Sequence, residues 1–122
     1  MKNIDEWVLE ILQEVIDNKE ITALNFGLFE SQEGYMIYCI GSTWYSDIDS
    51  TWACDESFSP KRKYLSMKDD LNKLPWELFQ KKICQYLDEV IKEYQNMFAD
   101  NLKYICCGFD DGDLVVIWQR LI

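Results

Sequence analysis

The sequence predicts one α+β domain over residues 1–122, built on a mainly antiparallel sheet of about five strands. Two stretches carry apolar residues at helical spacing, and several shorter stretches carry them at strand spacing. Near the C-terminal end, an Asp-Gly pair separates two runs of strand-forming residues, which is typical of a hairpin. The predicted order is therefore helix, three strands, helix and two strands.

The first helix is predicted to start at Ile4, with Asn3 as its N-terminal cap and Asn18 as its C-terminal stop. Its apolar residues recur three and four positions apart, as expected of a helix that buries one face. They are Ile4, Trp7, Val8, Ile11, Leu12, Val15 and Ile16. We expect this helix to cover one face of the sheet.

Three strands should follow, because the apolar spacing changes from helical to alternating. The first is predicted over residues 21–30 and the second over 35–44, with a turn at 31–34 between them. A weaker third strand is predicted over residues 64–67. Residues 45–60 show no clean alternation and are aromatic, acidic and rich in hydroxyl groups, so we expect a loop there.

A second, longer helix should start near Pro75, because the first turn of a helix tolerates the missing N–H of proline. Asp100-Asn101 should end it. Its apolar stripe comprises Trp76, Phe79, Ile83, Leu87, Val90, Ile91, Tyr94 and Phe98.

The closing hairpin is the stretch around which we expect the other elements to pack. Residues 111–112 are predicted to form a type I′ turn, in which both central residues have positive φ. Cys107 should then face Val116 across the hairpin. Ile105 should face Trp118 on the same side of the sheet. Both faces are largely apolar, so at least one should be covered by helices and the other by helices, a partner or both.

Composition argues against several classes of function. A net charge of −10 disfavours binding to nucleic acid or to anionic membranes. The chain has no histidine, which removes the usual general base, the serine and cysteine triads and histidine metal sites. Paired carboxylates could act as acid and base, but no glycine-rich loop or serine nucleophile motif accompanies them. We therefore predict no enzyme, no cofactor and no metal.

The cysteines and the apolar runs both indicate a cytoplasmic protein. Five cysteines follow no metal or disulfide pattern, so we expect reduced, buried thiols. The apolar runs are too short to span a membrane, and the pattern of a signal peptide is missing.

A candidate binding surface comes from two acidic stretches, one of them aromatic. No lysine or arginine lies between Lys19 and Lys61, so the carboxylates there have no basic sequence neighbour. Aromatic side chains supply contact area and carboxylates orient a cationic partner. The candidate partner-binding residues are Trp44, Tyr45, Asp47, Asp49, Trp52, Asp55, Glu56, Asp110, Asp111 and Asp113. Each aromatic residue could instead belong to the core, and residues 110–113 could be a simple acidic turn.

With its aromatic and acidic stretch at 44–56 and its closing stretch at 108–118, the chain resembles the small acidic immunity proteins of bacterial polymorphic-toxin and contact-dependent-inhibition systems. Size, acidity and a helix-first α+β order add to the resemblance. It implies a cytoplasmic protein that neutralises a cognate toxin, commonly a basic nuclease, by placing carboxylates in its substrate groove. The alternatives are a general interaction or adaptor module without a toxin, and a small-molecule binder or enzyme.

Overall fold

The computed structural model describes residues 2–67 and 69–121 of the chain, and its element order confirms the predicted α+β class. The helices are α1 (Lys2–Ile16) and α2 (Trp76–Tyr94). The strands are β1 (Ala23–Ser31), β2 (Gly34–Ser42), β3 (Tyr64–Ser66), β4 (Tyr104–Phe109) and β5 (Val115–Gln119). Short 3₁₀ helices lie at Ser50–Cys54, Asp69–Lys73 and Gln95–Met97. In the described part of the chain, neither helix is both long and apolar enough to cross a bilayer.

The five strands form one mixed sheet in the order β3-β2-β1-β4-β5. Three neighbouring pairs are antiparallel, as predicted for most of the sheet, and β1 and β4 are parallel. A parallel pair requires a long crossover connection. Here that connection contains β2, β3 and α2, so the central strand β1 meets its second neighbour only near the C-terminal end.

Both helices pack on the same face of the sheet, which we call the helix face. Trp7 of α1 meets Phe26 of β1 edge to face, with ring centroids 5.9 Å apart. Phe79 of α2 stacks on Tyr35 of β2 at 4.0 Å. These residues belong to one continuous apolar core, in which the predicted stripes of both helices are buried from Ile4 to Val15 and from Phe79 to Ile91.

The ends of the helices differ from the predicted ends. Asn3 lies inside α1 and is not its cap, because α1 already includes Lys2. Pro75 is the N-cap of α2, and the helix ends at Tyr94 rather than near residue 100. The 3₁₀ turn Gln95–Met97 then redirects the chain so that Phe98 packs edge to face on Trp118, with centroids 5.2 Å apart.

The closing hairpin forms, but its turn and part of its register differ from the prediction. The N–H of Gly112 donates to the carbonyl of Phe109 at 3.0 Å, so Asp110 and Asp111 are the central residues of the turn. Gly112 occupies the last position of that turn and has no left-handed φ, which excludes the predicted type I′ geometry. The loop between the strands is accordingly longer than two residues.

A bulge next to Cys106 shifts the register of β4 against β5. Ile105 faces Trp118 as predicted, whereas Val116 faces Cys106 instead of Cys107. The extra residue is Ile117, and both Ile117 and Trp118 pack against the helix-face core. The bulge therefore lets two successive apolar side chains reach the same face.

We expect Gly34→Ala to destabilise the protein and Gly112→Ala to be nearly neutral. Gly34 has a φ of 124°, and an added Cβ would lie 2.5 Å from Oδ1 of Asn72. The strain should lower the free energy of unfolding by about 1–3 kcal/mol. At Gly112 a Cβ meets nothing closer than 3.7 Å, so the change should stay within about 0.5 kcal/mol. Urea denaturation measures both, and a large loss at Gly112 would contradict the observed turn.

Candidate functional site

The sheet face opposite the helices, which we call the open face, is covered over one half by residues 44–58. We call these residues the covering segment. Trp52 and Ala53 pack there on Ala23 of β1 and Cys106 of β4. Tyr45 stacks on Tyr104 with ring centroids 3.6 Å apart. The covering segment thus supplies the second layer of the sheet without an α-helix, since its helical part is the five-residue 3₁₀ helix Ser50–Cys54.

Trp52 is 1% exposed, whereas Trp44 is 37% exposed. The Trp52 indole is therefore not available to a partner, contrary to the prediction. The reason is local geometry, because the 3₁₀ helix Ser50–Cys54 turns Trp52 towards the sheet. Its function is to hold the covering segment in place.

Asp55 fixes the position of Trp44. The indole N–H of Trp44 donates to Oδ2 of Asp55 at 2.9 Å, and the hydroxyl of Ser42 donates to the same oxygen at 3.3 Å. The hydroxyl of Ser57 donates to Oδ1 at 3.2 Å. Both carboxylate oxygens of Asp55 therefore accept hydrogen bonds from within the protein. These bonds hold the ring of Trp44 in a partly exposed position.

Asp47 and Asp49 are exposed residues of the covering segment. Asp49 caps the 3₁₀ helix by accepting from the backbone N–H of Thr51 at 3.0 Å and from its hydroxyl at 2.6 Å. These bonds lower the pKa of the Asp49 carboxyl. Burial and a hydrogen bond to Asp47 raise the pKa of Tyr45 to about 12.

Tyr38 ties the hairpin tip to the centre of the sheet. Its ring lies across Gly27, where an added Cβ would come within 2.1 Å of the ring. The phenol then donates to Oδ1 of Asp110 at 2.5 Å. Burial, followed by this hydrogen bond, raises the pKa of Tyr38 well above its ordinary value. One side chain thus spans from β2 over β1 to the end of β4.

The uncovered half of the open face holds an aromatic groove with a volume of about 380 Å³. Its lining comprises Phe29, Tyr38, Ile40, Ala53, Cys54, Glu56, Lys63, Tyr64 and Asp110. The rings of Phe29, Tyr38 and Tyr64 form a triangle with centroids 6.1–6.3 Å apart. The groove brings together Glu56 from the covering segment and Asp110 from the hairpin tip, which are far apart in the sequence.

Lys63 is the cation that lines this groove. Its Nζ lies 2.8 Å from Oε1 of Glu56 and 5.2 Å from the ring centroid of Tyr64. The hydrogen bond between the two charged groups lowers the pKa of Glu56 and raises the pKa of Lys63. Asp110, which also lines the groove, has no ion-pair partner among the described residues.

Asp111 and Asp113 are exposed at the hairpin tip, and neither carboxylate has a hydrogen-bond or ion-pair partner within residues 2–67 and 69–121. Leu114, the next residue, packs beside Trp52 in the layer under the covering segment. The hairpin tip and the covering segment therefore border the same face of the sheet. Among the ten candidate residues, Trp52 is buried under the covering segment, whereas Trp44, Asp47, Asp49, Glu56, Asp110, Asp111 and Asp113 are exposed.

The thiols are mostly buried, as predicted. Cys39, Cys106 and Cys107 are buried and Cys84 is half-buried, whereas Cys54 is exposed beside the aromatic groove. Burial raises the pKa of Cys106 to about 12. Among the described residues, no group of three or more acidic or thiol side chains could hold a metal ion.

A second groove of about 620 Å³ lies between α2 and β5, where a small molecule could enter. Its carboxylates, Glu77 and Asp88, are separated by about 16 Å along the helix axis at 1.5 Å per residue. Asp88 also forms an ion pair with Lys92 at 3.0 Å. The two carboxylates do not converge on one point, so they do not form an acid and base pair.

Comparisons of the chain with protein-family models, with curated proteins and with solved structures find no match. The geometry of its own residues therefore carries any proposal about function.

We expect Trp52→Ala to cost far more stability than Trp44→Ala. Removing the buried indole leaves a cavity between the covering segment and the sheet, at a cost of about 3–5 kcal/mol. Removing the partly exposed indole loses mainly one hydrogen bond, or about 1 kcal/mol. Urea denaturation of both variants measures the difference, and equal losses would contradict the assignment of Trp52 to the core.

We expect stability to fall as the pH rises above 10, the ordinary pKa of tyrosine. The fold favours the protonated phenol of Tyr38, so its contribution is complete below that pH and is lost as the phenol ionises. Tyr38→Phe should make the fall in the free energy of unfolding with pH less steep, by at most the contribution of about one proton. Tyrosinate absorbance should also lose a late-titrating component in this variant. Because Tyr45 also has a raised pKa and leaves a late component in both proteins, a late absorbance change as large in Tyr38→Phe as in the unchanged chain would contradict the assignment.

Proposed function

We propose that the chain is an acidic binding protein of the cytoplasm that neutralises a toxin domain. The partner would be basic, with a nuclease favoured, and the chain would occlude its active groove. The observation that supports this proposal most is that carboxylates from two distant stretches, Glu56 and Asp110, line one groove beside partly exposed aromatic rings. Aromatic and charged side chains in this mixture are typical of protein interfaces.

The charge distribution supports a cationic partner. The chain carries a net charge of −10. On the open face, Asp47, Asp111 and Asp113 are exposed, and these carboxylates form no ion pair with another described residue. Like charges at the hairpin tip repel one another in the free protein. Arginine or lysine side chains of a partner would relieve that repulsion and would speed the encounter.

Binding rather than catalysis fits the residues on this surface. The chain contains no histidine, and Asp55 is already engaged by Trp44, Ser42 and Ser57. A general adaptor role would use the same surface without a toxin. The two roles differ in outcome, because only neutralisation protects a cell from the partner.

The test pairs the chain with the protein encoded by the neighbouring reading frame. Coexpression with the chain should restore growth that the neighbouring protein alone arrests, and the two proteins should copurify. Asp111→Lys combined with Asp113→Lys should slow association by about tenfold, since exposed charges at an interface act mainly on the association rate. Raising the salt concentration should slow the association of the unchanged chain in the same direction.

The matched control is Glu89→Lys combined with Glu93→Lys. These exposed residues lie on α2, on the opposite side of the sheet, and the control changes net charge by the same amount. Equal slowing by both pairs would contradict the assignment of the open face as the binding surface. Copurification without restored growth would favour the adaptor role, and an absence of binding would overturn both.

A further inference from the structure

The aromatic groove is already occupied by one cation, which belongs to the chain itself. The Nζ atom of Lys63 lies 5.2 Å from the ring centroid of Tyr64 and 5.9 Å from that of Tyr38. The same atom lies 2.8 Å from Oε1 of Glu56. An ammonium group over aromatic faces and against a carboxylate is the arrangement in which such grooves bind cationic ligands.

The groove has room and charge for a cationic group larger than the ammonium group of Lys63. Its volume of about 380 Å³ exceeds what one ammonium group fills, and Asp110 lines it together with Glu56. Oδ1 of Asp110 accepts from Tyr38, which fixes the direction of the carboxylate. Its Oδ2 atom has no hydrogen-bond partner among the described residues. Two carboxylates and one lysine leave the groove with a net negative charge.

We infer that the aromatic groove is a docking site for an arginine side chain of a protein partner. In the free protein Lys63 occupies this site as an internal competitor, and the arginine displaces it. Lys63 stays on the chain and moves towards water when the partner binds.

Arginine fits the groove better than lysine for two physical reasons. Its planar guanidinium group stacks on aromatic faces and bonds carboxylates through two parallel N–H groups. It is also less strongly hydrated than an ammonium group, so it loses less on entering a half-enclosed site. Tyr38 and Tyr64 offer the faces, and Glu56 and Asp110 offer the carboxylates.

Lys63 can leave the groove when an arginine replaces its contacts. The side chains of Lys63 and Glu56 are 24% and 43% exposed, so water already solvates part of the ion pair. Water therefore screens part of the attraction between the two charges, and an arginine would replace the contacts with the rings that Lys63 gives up. The inference rests on the proposed function for the source of the arginine, but the chemistry of the groove can be tested without any toxin.

The probe is the peptide acetyl-Gly-Arg-Gly-amide, titrated into the full chain while NMR follows the ring signals of Phe29, Tyr38 and Tyr64. Lys63→Met keeps the apolar stem and removes the competing charge. We expect it to tighten peptide binding by about threefold to tenfold. The matched control is Lys61→Met, which removes the same charge at an exposed residue that does not line the groove. It should change binding by less than about twofold.

Two further measurements sharpen the test. Tyr64→Leu in the Lys63→Met background should abolish the gain in affinity for the arginine peptide, because the ring face on which the guanidinium group stacks is lost. Acetyl-Gly-Lys-Gly-amide should bind more weakly than the arginine peptide. Equal gains from Lys63→Met and Lys61→Met, or ring signals that do not move, would overturn the inference. Equal binding of the two peptides would overturn the assignment to arginine.

Failure of this inference differs from failure of the proposed function. If Lys63→Met gains affinity for the peptide but the neighbouring protein is not bound, the docking site stands and the toxin role falls. If the neighbouring protein is neutralised but Lys63→Met gains nothing, the role stands and Lys63 is not a competitor.

Discussion

The sheet has two apolar faces and only one helical layer, and the remaining features of the molecule depend on this imbalance. The helix face is filled by α1 and α2. The open face is closed over one half by the covering segment, through Trp52 and Tyr45. Over the other half, aromatic rings remain partly exposed between carboxylates. The aromatic groove thus lies on the part of a two-sided sheet that the covering segment leaves open.

The element order could be predicted because it depends on local periodicity, which sequence displays directly. Strand partners could not be, because β1 alternates in the same way whether β4 runs parallel or antiparallel to it. The bulge in β5 could not be predicted either, because Ile117 and Trp118 are both apolar and their pattern does not show which of them faces the core. The predicted type I′ turn was wrong because an Asp-Gly pair usually forms the centre of a hairpin turn. Here Gly112 is the last residue of the turn, and Asp110 and Asp111 are the central ones.

The acidic part of the candidate site was visible in the sequence, and its aromatic floor was not. Phe29, Tyr38 and Tyr64 come from three strands, and no sequence spacing joins them. One clue was available. A two-residue turn at 32–33 places Gly27 directly opposite Tyr38, and a glycine facing a tyrosine indicates a ring that lies flat across the strand. Trp44 and Trp52 stand in similar local sequences, and only the packing under Trp52 separates their roles.

The parallel pairing of β1 with β4 constrains how the molecule is made. Ala23 finds its partner Tyr104 only after β2, β3 and α2 have been synthesised. Until then the edge of β1 in the nascent β1–β2 hairpin exposes unpaired backbone N–H and C=O groups between apolar side chains. Such an edge can pair wrongly with other chains. This domain should therefore complete its sheet only after β4 has left the ribosome, and chaperones that shield strand edges would act on it during that interval.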